Sequence, residues 1–159
     1  NIPGRCVVDM TPETMGRLAR LPRIVGVKDA TADIVRPLLT AATCGAEFCQ
    51  LSGEDANVVA FLAHGGHGCI SVTANVAPGL CARLHDAWRD GRPDEALAIH
   101  RRLMPLHTAL FCETSPAPVK YAVARLGRCE AEVRLPLVEA SERARALVDA
   151  AMDAAGLTA

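Results

Sequence analysis

The chain has 159 residues, half of them hydrophobic, and a formal net charge of −1. That length and apolar content allow a packed core and argue against a disordered chain. Near-neutral charge, one Trp, one Tyr and no basic stripe interleaved with aromatics argue against a nucleic-acid partner, and no apolar run is long enough to suggest a membrane span.

In chain order, Asn1-Ile2-Pro3-Gly4-Arg5 has neither a signal-peptide pattern nor an initiator Met, and the sequence reads as a piece of something longer. Thr11-Pro12 is a helix start, an N-cap followed by proline at the first helical position, with Met15, Leu18 and Leu21 as the apolar stripe. Ile24 to Lys28 is the first strand. A second helix carries Ile34, Leu38, Leu39 and Ala42 as its inward stripe, tolerates Pro37 near its start and stops at Gly45. Glu47 to Ser52 is the second strand. A helix from Asn57 to Ala63 follows, with Val58, Val59, Phe61 and Leu62, and ends at Gly65-Gly66. Gly68 to Thr73 is the third strand. From Pro78 onward only helical patterns remain, over 79–90, 94–111, 119–126 and 138–155, and Pro105 should kink or break the second of them.

Strand ends at Lys28, Ser52 and Ser71 follow each other at intervals of 24 and 19 residues, a spacing that suits βα units in a parallel sheet. Three such strands alone leave open edges. The expected fold is therefore α/β, the closing arc of a (β/α)8 barrel. Residues 1–77 would be its last βα units, and 78–159 a closing barrel helix with an all-helical extension.

The chain has fifteen arginines but only two lysines, Lys28 and Lys120. Arginine stays protonated and cannot attack a carbonyl, whereas a lysine amine in a semi-apolar pocket can. Lys28 ends its strand, and the C-terminal strand ends of a barrel hold its chemistry. A solvated lysine pairing with Asp29 or Asp33 is the other reading of the same position. Ser52-Gly53-Glu54-Asp55 and Ser71-Val72-Thr73-Ala74-Asn75 end the next two strands, and Gly53 would let backbone come close to a ligand. His64 and His67 flank a glycine pair with no thiol or carboxylate in ligand register, so no metal is expected. Lys120 opens a helix and reads as structural. The seven cysteines include no C-x-x-C pair and read as free thiols of a reducing compartment, the cytoplasm.

The runs Gly26-Val27-Lys28-Asp29-Ala30-Thr31, Leu51-Ser52-Gly53-Glu54-Asp55 and Gly65-Gly66-His67-Gly68-Cys69-Ile70-Ser71-Val72-Thr73-Ala74-Asn75 resemble the dihydrodipicolinate synthase family, Schiff-base lyases of lysine biosynthesis. Arg102-Leu103-Met104-Pro105-Leu106 and Pro118-Val119-Lys120 extend the likeness. The resemblance implies that Lys28 forms a Schiff base with pyruvate and that the enamine attacks L-aspartate-4-semialdehyde. It implies that Arg5 grips a substrate carboxylate, a task suited to its planar fork, and that Gly53 and Ile70 line the site. No cofactor is implied, and a homo-oligomer, a tetramer at full length, is. Cys6 stands where the family commonly has threonine. The family motif Tyr-Asn-x-Pro-x-Arg is entered here at its asparagine. Tyr121, in the helical tail, does not replace the tyrosine that relays protons in that family, so little synthase activity is expected of these residues alone. Two alternatives remain: another pyruvate-dependent aldolase, acting on N-acetylneuraminate or a keto-deoxy-sugar acid, and a non-catalytic barrel fragment that works through assembly.

Overall fold

The structure, a computed structural model, describes residues 1–157. Its internal contacts form two compact units, Asn1–Ser71 and the residues from Val72 onward. The sequence reading draws its line between 77 and 78.

The first unit is α/β. Its strands β1 (Gly26–Asp29), β2 (Cys49–Ser52) and β3 (Gly68–Cys69) form one parallel sheet in the order β1-β2-β3. Lys28 pairs with Leu51 and Leu51 with Gly68, so all three strands finish at the same edge of the sheet. Between and before them lie α1 (Pro3–Cys6), α2 (Pro12–Leu18), α3 (Arg36–Cys44) and α4 (Val58–Ala63), the last preceded by a 3₁₀ turn at Asp55–Asn57. The expected start of α2 holds: Thr11 Oγ1 accepts the Thr14 N–H at 3.3 Å, and Pro12 takes the first helical position, where an N–H would have no helical partner. Gly45, at φ 91°, ends α3 in a conformation that a Cβ disfavours.

Two expectations need correction. β3 is two residues long rather than six. The apolar stripe of α3 does not face the core: Leu38 and Leu39 are 52% and 47% exposed, while Pro37 and Thr40 are buried. The buried Gln50 side chain gives a reason. Its Nε2 donates to the Pro37 carbonyl at 3.0 Å, so the polar middle of β2 takes hold of the face of α3 that carries Pro37.

The second unit is helical: a 3₁₀ turn at Thr73–Asn75, then α5 (Pro78–Arg89), α6 (Pro93–Ala109), α7 (Ala117–Arg125) and α8 (Glu142–Ala154). Its core includes Leu80, Leu84, Leu103, Leu106, Val148 and Met152. Pro105 does not break α6, which continues to Ala109. Proline removes one helical hydrogen bond, and the fully buried Leu103 and Leu106 on either side keep the helix in place. The ends of α8 are held from outside. Ser141 Oγ accepts the Ala144 N–H, and its own hydroxyl and N–H donate to the Glu113 carboxylate at 2.5 and 3.1 Å. At the other end Arg102 donates from Nε and Nη2 to the Ala155 carbonyl. Thr73 Oγ1 and His107 Nδ1 are 2.7 Å apart in the interior. Among the described residues no helix is long and apolar enough to cross a membrane.

Candidate active site

The common edge of the parallel sheet gathers three of the four residues picked out from the sequence. Lys28 stands on β1 with its side chain exposed. One flank borders a largely apolar cleft of about 340 Å³, lined by Ile2, Met10, Met15, Leu18 and Val27 among others. On the other flank is Gly53. A Cβ built there would come within 2.9 Å of Lys28 Cε and 2.7 Å of Ala30 Cβ. The close approach anticipated at Gly53 is thus made by the lysine stem itself. Ile70, 48% exposed, follows β3, and its N–H donates to the Ser52 carbonyl at 2.8 Å.

Both carboxylates that could have neutralised Lys28 are engaged elsewhere. Buried Asp29 accepts from the Thr31 N–H and hydroxyl and from Asn1 Nδ2. Asp33 Oδ1 accepts the Val35 N–H ahead of α3. Among the described residues no carboxylate forms an ion pair with Lys28. The surface ion-pair reading therefore loses both its partners.

The loop after β2 is tied at several points. Ser52 is fully buried, and its Oγ accepts the Glu54 N–H and lies 3.0 Å from both the Glu54 carbonyl and Asn57 Oδ1. The Gly53 N–H donates to the Asp29 carbonyl at 2.6 Å. Beside it the Ser71 hydroxyl donates to buried Asp55.

Arg5 is on α1, exposed, and makes no ion pair among the described residues. Its segment is anchored to β1 by Asn1. The Asn1 backbone nitrogen donates to the Lys28 carbonyl at 2.8 Å, and the Ala30 N–H donates to the Asn1 carbonyl, in the manner of a parallel bridge. Asn1 Nδ2 donates to Asp9 Oδ1, and Asn1 Oδ1 accepts the Met10 N–H. Asp9 in turn pairs with Arg36 at 2.6 Å. The Asn1 amide first, then Arg36, hold the Asp9 carboxyl below the usual aspartate range. The sequence reading missed this clamp. By sequence Asp29 is a partner for its neighbour Lys28, whereas its carboxylate faces the buried side of the strand. His67 is tied to β2: its Nδ1 accepts the Gln50 N–H at 3.1 Å and its backbone N–H donates to the Gln50 carbonyl.

Residues 1–155 match the model of the dihydrodipicolinate synthetase family. The chain belongs to that family. The 4-hydroxy-tetrahydrodipicolinate synthases of Rhodospirillum centenum and Cereibacter sphaeroides are 62% and 61% identical over 157 residues, which is 99% of this chain and 54% of each relative. The crystal structure of dihydrodipicolinate synthase from Thermotoga maritima superposes with a TM-score of 0.95 at 40% identity, covering 99% of this chain and 55% of that one. The enzyme from Cyanidioschyzon merolae with lysine bound gives a TM-score of 0.94 at 36% identity, over 99% of this chain and 54% of that one. The chain thus spans about half the length of the relatives it matches. Within that span its fold is that of the later βα units of a (β/α)8 barrel followed by helices, as the sequence predicts.

Proposed function

We propose that this chain carries the imine-forming portion of a 4-hydroxy-tetrahydrodipicolinate synthase. The Lys28 amine attacks the keto carbon of pyruvate, water leaves, and a protonated imine remains. Loss of a proton from the methyl carbon gives an enamine. That carbon bonds to the aldehyde carbon of L-aspartate-4-semialdehyde, whose amine then displaces Lys28 and closes the ring. Arg5 grips a substrate carboxylate, and Gly53 and Ile70 line the site. The reaction is placed in a reducing cytoplasm, in keeping with free cysteines throughout the described chain, and in a homo-oligomer of the full-length enzyme.

One observation carries this reading: a lysine that makes no ion pair among the described residues, at the C-terminal end of a parallel strand, bordering an apolar cleft and with its stem passing close to a glycine. Incubation with pyruvate and borohydride tests it, because reduction of the imine fixes the adduct on the amine. Intact mass and peptide mapping should place one pyruvate on Lys28 and none after Lys28→Arg. A parent chain without adduct sinks the nucleophile assignment. Arg5 supports aspartate semialdehyde over a sugar acid as second substrate, and side-by-side turnover of the two by the full-length enzyme decides between them.

A further inference from the structure

We propose that Ser52 is a positioning residue, whose hydroxyl locks Gly53 against the stem of Lys28. This rests on the Schiff-base reading above and deepens it by naming what fixes the amine. Ser52 has no exposed surface, so its hydroxyl serves the interior and cannot meet a substrate from solvent. The oxygen accepts the Glu54 N–H and gives its proton to the Glu54 carbonyl or Asn57 Oδ1, each at 3.0 Å. These bonds fold the chain back immediately after β2. Gly53, in the middle of the fold-back, is then held by its N–H on the Asp29 carbonyl at 2.6 Å. The Ser52 carbonyl takes the Ile70 N–H. Ser52 and Gly53 together therefore join the ends of all three strands. Lys28 feels the result through sterics, since the space where a Cβ of residue 53 would stand is within 2.9 Å of Lys28 Cε. Alanine at 52 would leave the half-buried Glu54 N–H without its acceptor and Asn57 Oδ1 without the hydroxyl donor, and the loop would relax to find other partners. A long flexible side chain loses its bearing when the wall beside it moves, and misplacement by about 1 Å can cost up to about 100-fold in rate.

The test uses the two lysines of the chain, one at the site and one on α7. Parent, Ser52→Ala and Ser52→Thr are compared in the rate of borohydride-trapped pyruvate at Lys28. Each is also reductively ¹³C-methylated, and the methyl chemical shifts of Lys28 and Lys120 are compared at one pH. Ser52→Ala should slow trapping at least about 10-fold and move the Lys28 signal, with Lys120 and the far-ultraviolet circular dichroism unchanged. Ser52→Thr, which keeps the hydroxyl, should restore most of the rate. Should Ser52→Ala fail to fold, Asn57→Ala, which removes one acceptor of the same hydroxyl, is read in its place. A folded variant with parental trapping and an unmoved Lys28 signal overturns the proposal. If the parent traps no pyruvate the Schiff-base reading falls, while the Lys28 signal still decides whether Ser52 sets the environment of the amine.

Discussion

Val7 shows what a single residue can hold against its own preference. It caps α1 at φ 65°, where a β-branched side chain crowds the backbone, and at 90% exposure it has no burial in return. Placing an L-residue there costs about 1–2 kcal/mol, partly offset by the greater freedom glycine has in the unfolded chain, about 0.5–1 kcal/mol. Val7→Gly should therefore raise the stability of the first unit by up to about 1 kcal/mol, seen as a higher urea midpoint at unchanged slope. A lower midpoint would mean that the side chain makes a contact its exposure conceals. The same turn is gathered on the Ile2 carbonyl, which accepts from the Arg5 N–H, the Cys6 N–H and Cys6 Sγ. Relief at Val7 should leave Arg5 where it is.

Among the elements, the contact of β2 with α3 depends on one buried amide. Gln50→Leu keeps the size and the burial but removes the side-chain donor to the Pro37 carbonyl, and the loss of such a hydrogen bond costs about 0.5–1.5 kcal/mol. Denaturant unfolding should show that loss in the first unit. In the second unit, Arg102→Ala frees the C-terminal carbonyl of α8 and should cost about 1 kcal/mol, with amide exchange rising first at 153–157. Element type was legible because local chemistry decides it: Thr11-Pro12 starts a helix and Gly45 stops one whatever surrounds them. The direction an element faces was not. Ile34, Leu38 and Leu39 share a helix face by period alone, yet nothing in that period says whether the face is covered, and the answer came from Gln50, thirteen residues away from Pro37. The site divided in the same way. The Lys28 and Gly53 positions follow from strand ends that fall in register, whereas Ile70, inside the expected third strand, is marked only by the family resemblance. The Asn1–Asp9–Arg36 and Asn1–Asp29 bonds join side chains distant in sequence, and no spacing rule announces them.

For the molecule as a whole, acid should loosen both units. Asp9 in the first and Glu113 in the second have carboxyls held below their usual ranges, Asp9 chiefly by the Asn1 amide and Glu113 chiefly by the Ser141 hydroxyl. A carboxyl depressed by folding contributes stability that is complete above its ordinary value and is lost as pH falls through the folded one. Stability should then decline below the ordinary carboxylate range, and Asp9→Asn should flatten that decline in the first unit. A profile in Asp9→Asn that parallels the parent's would mean other carboxylates dominate. The exposed Ile34, Val35, Leu38 and Leu39, on and just before α3, also predict self-association of the 159-residue chain, since several exposed apolar residues on one short segment are uncommon on a folded domain. Sedimentation should show species above the monomer, reduced by Leu38→Glu with Leu39→Glu.

Strand β1 turns Lys28 outward and Asp29 inward, and the two neighbours answer to different pressures. In a saturation library scored separately for soluble yield and for imine trapping, position 28 should tolerate many residues on the first score and none on the second. Position 29 should fail both. The contrast gives a way to date the loss of chemistry in a lineage: a copy that keeps Asn1 and Asp29 but has let Lys28 drift is a folded protein that has given up its reaction, whereas one that has lost Asp29 first has given up its shape.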